Sequence, residues 1–292
     1  MPILDPKYIA NWYYLVPTLD PDQKPRLLQN WTETQEQGLD PQLLLQGDIG
    51  LHVMNVKGMK WVNQIEAPVV IIDYINQGDV VTSIFDAITA DYDAQRGPVF
   101  SSGLTYLLKN ATINVNAESG VTCSANYISG EKGIFTPIFG PTPFDFIGRT
   151  AQWFDTTFFV EDVDVAINDP NGYRVLNGKI DIAFDIKENY YEGTGQEPTF
   201  SVQGYNVTGE IEIVLAPEGW DKLIITNQIC GDFTYSLSDS YLRIGGCLQS
   251  STPGVQLNLG SARLHGKVER KLISGQTTTV KITFHSFARY TA

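Results

Sequence analysis

The sequence is poor in the residues that carry covalent and metal chemistry. Three histidines (His52, His265, His285) and three cysteines (Cys123, Cys230, Cys247) serve a chain of 292 residues. The histidines show neither H-x-H nor H-E-x-x-H spacing, so no metal site is expected from them. An odd number of cysteines at unrelated intervals fits neither a disulfide scaffold nor a zinc site. It points to buried thiols in a chain made in a reducing cytoplasm. No G-x-S-x-G elbow and no G-x-x-x-x-G-K-[ST] loop occurs, which removes a serine-hydrolase elbow and a phosphate-binding loop. No apolar run approaches the roughly 18 residues of a membrane span. The opening MPILDPKYIANWYYLVP lacks the basic region and clean apolar stretch of a signal peptide. Positive charge is scarce as well: 20 Lys and Arg face 33 Asp and Glu, a net charge of −13. An acidic surface repels nucleic-acid phosphates and anionic membranes, and it keeps an abundant protein soluble before assembly.

What the chain does have is strand-forming material. Hydrophobic residues make up 42 %, with 14 Tyr, 14 Phe and 5 Trp among them, and Val, Ile and Thr are frequent. GKIDIAFDI alternates Ile180, Ile182, Phe184 and Ile186 with Asp181 and Asp185. TTTVKITFHSF alternates Val280, Ile282 and Phe284 with Lys281, Thr283 and His285. Each reads as a strand with one face in a core and one in solvent. TYLLKNATINVNAESGVTCSANYIS reads as a hairpin turning at Glu118-Ser119-Gly120, and APVVIIDYI as a buried strand. Between 79 and 95 the period changes: Val81, Ile84, Phe85, Ile88 and Tyr92 fall three and four apart, one face of a helix capped by Asp79 and stopped by Gly97-Pro98.

The first sixty residues read as an extended aromatic arm, WYYLVP, and a long polar loop with Pro21 and Pro25. A short helical turn is expected at Asp40-Pro41, ended by Gly47. A loop rich in Gly, Pro and Phe, 133–148, suggests a boundary. The expected organisation is an arm and loop over 1–60, a first β subdomain with the helix over 61–145, and a second β subdomain over 146–292, or all three as one intertwined domain. The fold class expected is mainly β: an antiparallel sandwich or barrel with one flanking helix near 79–95 and extended N-terminal arm and loops.

The carboxylates are the remaining chemical candidates. Glu161, Asp162 and Asp164 cluster in VEDVDV, and Asp181, Asp185 and Glu188 follow on a later strand. Paired carboxylates run glycoside hydrolysis and bind calcium. Asp181 and Asp185, however, share one face of a strand, and the alternation makes that face the solvated one. Asp169-Pro170-Asn171-Gly172 is a turn sequence, and EGTGQEP reads as a hairpin tip. No catalytic, cofactor-binding or metal residue is therefore assigned, and the chain is not expected to be an enzyme.

Between about Gly148 and Pro217 the elements follow a recognisable order. A strand TTFFVEDVDVAI precedes GKIDIAFDIKENY, then the loop EGTGQEP, then a strand of the form x-x-G-x-x-V-T-G-x-I-x-I-x-L. The last is carried by Gln203, Gly204, Val207, Thr208, Gly209, Ile211, Ile213 and Leu215. This order resembles the tail tube subunits of tailed bacteriophages and the related tube proteins of contractile injection machines. Gly204 and Gly209 would permit a bend or bulge.

The resemblance implies a virion structural protein assembled in the host cytoplasm, whose open sheet edges pair with neighbouring copies to make stacked rings. Its partners would be itself, as a hexamer or a pseudo-hexameric trimer, and other tail proteins: tape measure, sheath, baseplate or neck. DNA would be passing cargo only, and no membrane would be involved. The trimer arises if the excess length, mostly N-terminal, forms a second tube-like domain. Trp12, Tyr13 and Tyr14 of the arm, with Gly204, Val207, Thr208 and Gly209, are the expected subunit contacts. The alternative is a β-sandwich binding or adhesion module, a decoration or receptor-binding protein recognising carbohydrate through Trp153-Phe154 or Tyr190-Tyr191. A carboxylate glycosidase ranks below both.

Overall fold

β-Branched and aromatic residues alternate with polar ones over much of the chain, and the described residues are mainly antiparallel strands with one helix. The computed structural model describes residues 13–15, 25–27, 29–46, 49–74, 80–96, 106–130, 146–152, 155–160, 163–166, 174–189, 198–214, 240–245, 254–264, 269–271 and 279–287. Among these lie β1 (Tyr13–Leu15), β2 (Pro25–Leu27), β3 (Asn30–Gln46), β4 (Ile49–Pro68), β5 (Val70–Tyr74), β6 (Val80–Thr82), α1 (Ser83–Gln95), β7 (Tyr106–Asn116), β8 (Gly120–Ser129) and β9 (Phe146–Thr150). They are followed by β10 (Thr156–Val160), β11 (Val163–Ala166), β12 (Arg174–Asn189), β13 (Thr199–Val214), β14 (Ser240–Ile244), β15 (Val255–Leu264), β16 (Glu269–Lys271) and β17 (Thr279–Phe287).

Twelve strands join into one sheet in the order β11-β10-β14-β15-β17-β13-β12-β7-β8-β4-β3, with β16 added beside β17. A three-stranded sheet, β6-β5-β9, and the β1-β2 pair complete the described strands. The ends of the large sheet, β3 and β11, do not pair with each other among the described residues, so the barrel is not closed.

Register aligns the apolar positions in rows. Ala67, Cys123, Ile113, Ile180, Gly209 and Phe284 stand opposite one another across β4, β8, β7, β12, β13 and β17. Ile65, Ala125, Ala111, Ile182 and Val207 form the next row on the same face. All of the apolar side chains in both rows are buried. Each Ile or Phe so buried contributes on the order of 1.5–3 kcal/mol.

The sheet covers its own apolar face by turning a corner in β15. Residues 255–258 of that strand pair with β14, and Ser261–Leu264 pair with β17. Between them Gly260 adopts φ +73°, and the register with β14 slips beside Ser240. A positive φ there is what a residue other than glycine would resist. The folded-over wing brings Phe158, Leu242, Ile244, Leu257 and Leu259 into one cluster with Ile113 and Ile180. Phe158 lies so close to Gly178 that a Cβ there would sit 2.8 Å from the ring. Parts of one antiparallel sheet thus share a single apolar core.

Helix α1 sits against the same core. Ile84, Phe85, Ile88 and Tyr92 are buried, and the Tyr92 ring packs 6.0 Å from Phe184 and edge-on, 5.8 Å, from Tyr205. Tyr127 Oη donates to Asp91 Oδ2 at 2.9 Å. Gln95 acts as a substitute strand neighbour: its Nε2 donates to the Leu108 carbonyl (2.8 Å) and its Oε1 accepts from the Leu108 amide (2.6 Å). The pairing of β7 with β12 ends at Asn110–Ala183, just short of this point.

The hairpin β7–β8 and the alternating strands β12 and β17 lie where the sequence places them. Other readings are corrected. The helix begins at Ser83 and not at 79, because the β-branched run Val80–Thr82 pairs with β5 instead. Asp79 and Gly97-Pro98 lie outside the described residues. No helical turn starts at Asp40-Pro41; both belong to β3. β3 is an edge strand, where a missing amide costs no ladder bond on the open side. TTFFVEDVDVAI is two strands, β10 and β11, paired as a hairpin. The first sixty residues contribute β3 and most of β4, and the large sheet draws strands from 1–60, 61–145 and 146–292 alike.

Candidate assembly surface

The face of the sheet opposite the core is polar and internally paired. One row carries Glu66, Ser124, Thr112, Asp181, Thr208 and His285 across β4, β8, β7, β12, β13 and β17. Thr112 Oγ1 donates to Asp181 Oδ1 at 2.7 Å, and Lys179 Nζ lies 2.7 Å from Asp181 Oδ2. Lys281 Nζ lies 2.5 Å from Glu210 Oε1. Carboxamides fill the rest: Asn126 donates to Asn110 (2.7 Å), Asn116 to Asn177 (2.8 Å), and Asn177 to Glu212 (2.9 Å). A shallow polar groove of about 410 Å³ lies among Asn114, Asn116, Thr122, Asn177, Lys179 and Glu210.

The ion pairs and the Asn116–Asn177–Glu212 chain are exposed, so each contributes little to stability, while the Thr112–Asp181 and Asn126–Asn110 bonds are part-buried. Asp181, a carboxylate candidate from the sequence, is held by Lys179 and Thr112, and Asp185 is exposed. Glu161 and Asp162 lie outside the described residues. Among the described residues no three His, Cys, Asp or Glu side chains group as a metal site.

At one end this polar face gives way to a second apolar cluster. Leu107, Ile128 and Phe200 are buried together, with Val62, Ile186 and Val202 around them. The register slips between Leu108 and Asn110 in β7–β8 and between Asp185 and Ile186 in β12–β13. Such bulges bend a sheet, and here they accompany the burial of its otherwise polar side. Lys60 bridges the cluster's rim: Nζ lies 2.5 Å from Glu188 Oε1 and 3.3 Å from Glu36 Oε2. Burial alone would lower the Lys60 pKa, but the hydrogen bond and charge of Glu188, with those of Glu36, overcome it and raise the pKa.

The edges are the third feature. β3 is seventeen residues long, and its outer side has no strand neighbour among the described residues. β8 pairs with β4 only over Trp61–Pro68, whereas β3 pairs with β4 along its whole length. Among the described residues the hairpin therefore continues past the sheet as a two-stranded ribbon. At its base the register jumps from Gln37–Met59 to Leu39–Val56, leaving Gly38 on one strand and Lys57-Gly58 on the other unpaired. Beyond that bulge the ribbon runs from Leu39–Val56 to Gln46–Ile49. At about 3.3 Å per residue its length is on the order of 25 Å.

The residues expected to make subunit contacts divide. Trp12 lies outside the described residues, as do Trp153-Phe154 and Tyr190-Tyr191. Tyr13 and Tyr14 are in β1, opposite Leu27 and Arg26 of β2. Val207 is fully buried, and a Cβ on Gly209 would lie 1.9 Å from the Phe284 ring. Val207 packs in the core of its own chain, and Gly209, half-buried, lies against the Phe284 ring. Gly204 flanks the β12–β13 bulge, with nothing within 4 Å of a would-be Cβ. Thr208 stands on the polar face between Asp181 and His285. Sequence reasoning missed the β3–β4 ribbon and the Lys60 bridge. The available signal was Gly47-Asp48 between two runs containing apolar residues, a hairpin pattern.

No protein-family model matches this chain, and no curated protein matches it either. No helix among the described residues is long and apolar enough to cross a membrane.

Proposed function

We propose that the chain is a virion structural protein, a subunit that polymerises through its sheet edges into stacked rings forming the tail tube through which phage DNA passes. The observation that carries this reading is the architecture of the large sheet. Eleven strands run across it with β16 beside β17; it is apolar within, polar and charge-paired without, and open at β3 and β11 among the described residues. An open edge presents a row of unpaired N–H and C=O groups and is a template for another chain. An edge-to-edge ring satisfies those groups and needs no reactive side chain. The order of strands between Gly148 and Pro217 adds the resemblance to tube subunits. A net charge of −13 suits a wall along which DNA slides without sticking. In this reading the partners are other copies and the remaining tail proteins, and the location is the virion.

Negative-stain electron microscopy of the purified chain across a concentration series tests the proposal. Rings or tubes with a central hole are expected, and their symmetry would separate a hexamer from a trimer. A monomer at every concentration overturns it.

A further inference from the structure

The outer face of the folded-over wing carries a guanidinium most of whose hydrogen bonds are unmade. In β14 the alternation buries Ser240, Leu242 and Ile244 and turns Tyr241 and Arg243 to the opposite face. Across the ladder Arg243 stands opposite Gln256 and Tyr241 opposite Asn258, while Leu257 between them is buried on the core side. The four side chains therefore share one face, and paired cross-strand neighbours have Cβ atoms about 5 Å apart.

Lys60, Arg96 and Arg243 are the half-buried Lys and Arg side chains among the described residues. Glu188 and Glu36 hold the first, and Asp93 holds the second. Arg243 has no carboxylate among the described residues. Its one hydrogen bond runs from Nη2 to Tyr241 Oη at 3.3 Å, and its guanidinium carbon lies 5.4 Å from the centre of that ring. Nε is covered and has no partner. A guanidinium carries five N–H donors, so the end-on pair, Nη1 and the second proton of Nη2, is left for a ligand. In a chain of net charge −13, where carboxylates are in excess, this cation is not matched from within.

The carboxamides beside it are half-used. Gln256 Nε2 donates to Asn258 Oδ1 at 2.7 Å, which leaves Gln256 Oε1 as an acceptor and Asn258 Nδ2 as a donor. An acceptor beside a donor suits hydroxyl groups, which both give and take a hydrogen bond. The strand is held from the far side as well: Arg96, just past α1, donates from Nη1 to the Asn258 carbonyl at 3.2 Å.

We propose that Arg243, Tyr241, Gln256 and Asn258 form a binding site for a small hydroxylated carboxylate, a sugar acid of the uronate class. The carboxylate takes the end of the guanidinium fork in two parallel N–H···O bonds, and the hydroxyls take the Gln256–Asn258 pair. A single cation in so acidic a chain suits one negative charge better than the two of a phosphate monoester. The site uses neither open edge of the large sheet, so it stands apart from the assembly proposed above.

Saturation-transfer NMR on the full chain tests the site with glucuronate, with glucose as the ligand lacking the carboxylate and acetate as the one lacking the hydroxyls. Glucuronate should saturate in the millimolar range, and glucose and acetate should each bind at least about tenfold more weakly. Arg243→Gln should abolish the preference over glucose. Gln256→Ala, at an exposed position, should abolish the preference over acetate. Lys109→Gln, which removes an exposed cation on β7, should change neither. Equal binding of glucuronate and glucose, no saturation by glucuronate, or an Arg243→Gln variant that binds like the wild type overturns the site. An equal loss in Lys109→Gln also overturns it, as attraction to positive charge in general. Self-association lost in Arg243→Gln, in a wild type that ignores glucuronate, would give the guanidinium to a side-chain carboxylate of another copy and overturn the sugar acid. The three wild-type titrations and Gln256→Ala decide the matter even where Arg243→Gln fails to fold.

Discussion

Replacing Gly209 by alanine tests the packing of the sheet at its tightest point. Gly209 stands directly opposite Phe284 in the β13–β17 ladder, and the ring lies over the glycine. A Cβ at Gly209 would lie 1.9, 2.2 and 2.7 Å from three ring carbons, where ordinary carbon contacts are about 3.5–4 Å. Phe284 is only 2 % exposed, so its ring has no route into solvent. The backbone at Gly209 is ordinary strand, which alanine adopts freely, so crowding is the sole cost. Overpacking of this kind costs about 3 kcal/mol, which in a chain of this size lowers Tm by roughly 6–12 °C. Phe284→Leu removes the crowding atoms at a cost of about 1 kcal/mol. The double variant should then be no less stable than Phe284→Leu alone, a coupling of about 3 kcal/mol between the two sites. Gly204→Ala is the control: nothing approaches its Cβ, and the loss of unfolded-state freedom should leave stability unchanged or raise it by about 0.5 kcal/mol. Thermal and urea unfolding measure all four. A Gly209→Ala variant within 0.5 kcal/mol of wild type, or additive single effects, would refute the reasoning.

Two further outcomes follow from the buried and half-buried titrating groups. Lys60→Met should destabilise the chain by about 0.5–1 kcal/mol, after allowance for solvent screening. The Lys60 pKa is raised on folding above its ordinary 10.5, so its contribution is fully present below pH 10.5 and is lost as pH rises through the higher folded value. The Tm gap between variant and wild type, constant from pH 7 to 10, should therefore shrink in more alkaline buffer; a gap that widens there contradicts the ion-pair account. Cys123 is fully buried in the row between Ala67 and Ile113, and that burial, with the nearby Asp86 charge, pushes its thiol pKa far up. In a Cys230→Ser/Cys247→Ser background its reaction with a thiol reagent at pH 8 should follow the rate of global unfolding. Labelling at the rate of a free peptide thiol would place Cys123 outside the core.

The sequence was most legible where one face of a strand meets the core and the other meets water. GKIDIAFDI shows this directly: Ile180, Ile182 and Phe184 are buried while Lys179, Ala183 and Asp185 are exposed. The β7–β8 hairpin was legible for the same reason, with polar residues at its turn. Legibility failed where local chemistry and position in the sheet disagree. Asp40-Pro41 carries the local signal of a helix start, but an open edge absorbs the proline, and pairing with Asn55 and Met54 outweighs the signal. Val80–Thr82 continues the apolar period of the helix, yet β-branching and the partner strand β5 make it a strand. The corner at Gly260 leaves no local pattern, because it is set by which strands lie on either side of β15.

The candidate surface was less legible than the fold, and the reason lies in what such a surface is made of. The motif ending in Val207-Thr208-Gly209 was read as one unit, but strand alternation splits it. Val207 and Gly209 belong to the core, and only Thr208 reaches the polar face. The Lys60–Glu188 contact joins residues 128 apart in sequence, and the register from β4 through β8 and β7 to β12 decides whether they meet. An open strand edge goes further still: its recognition groups are main-chain N–H and C=O, present in every residue but proline. In the proposed assembly the specificity comes from the length of β3 and the position of its bulge. These properties tolerate wide substitution, so a chain can keep the surface while losing any fixed residue pattern. Edge length and bulge position are therefore the features to vary in an assembly experiment.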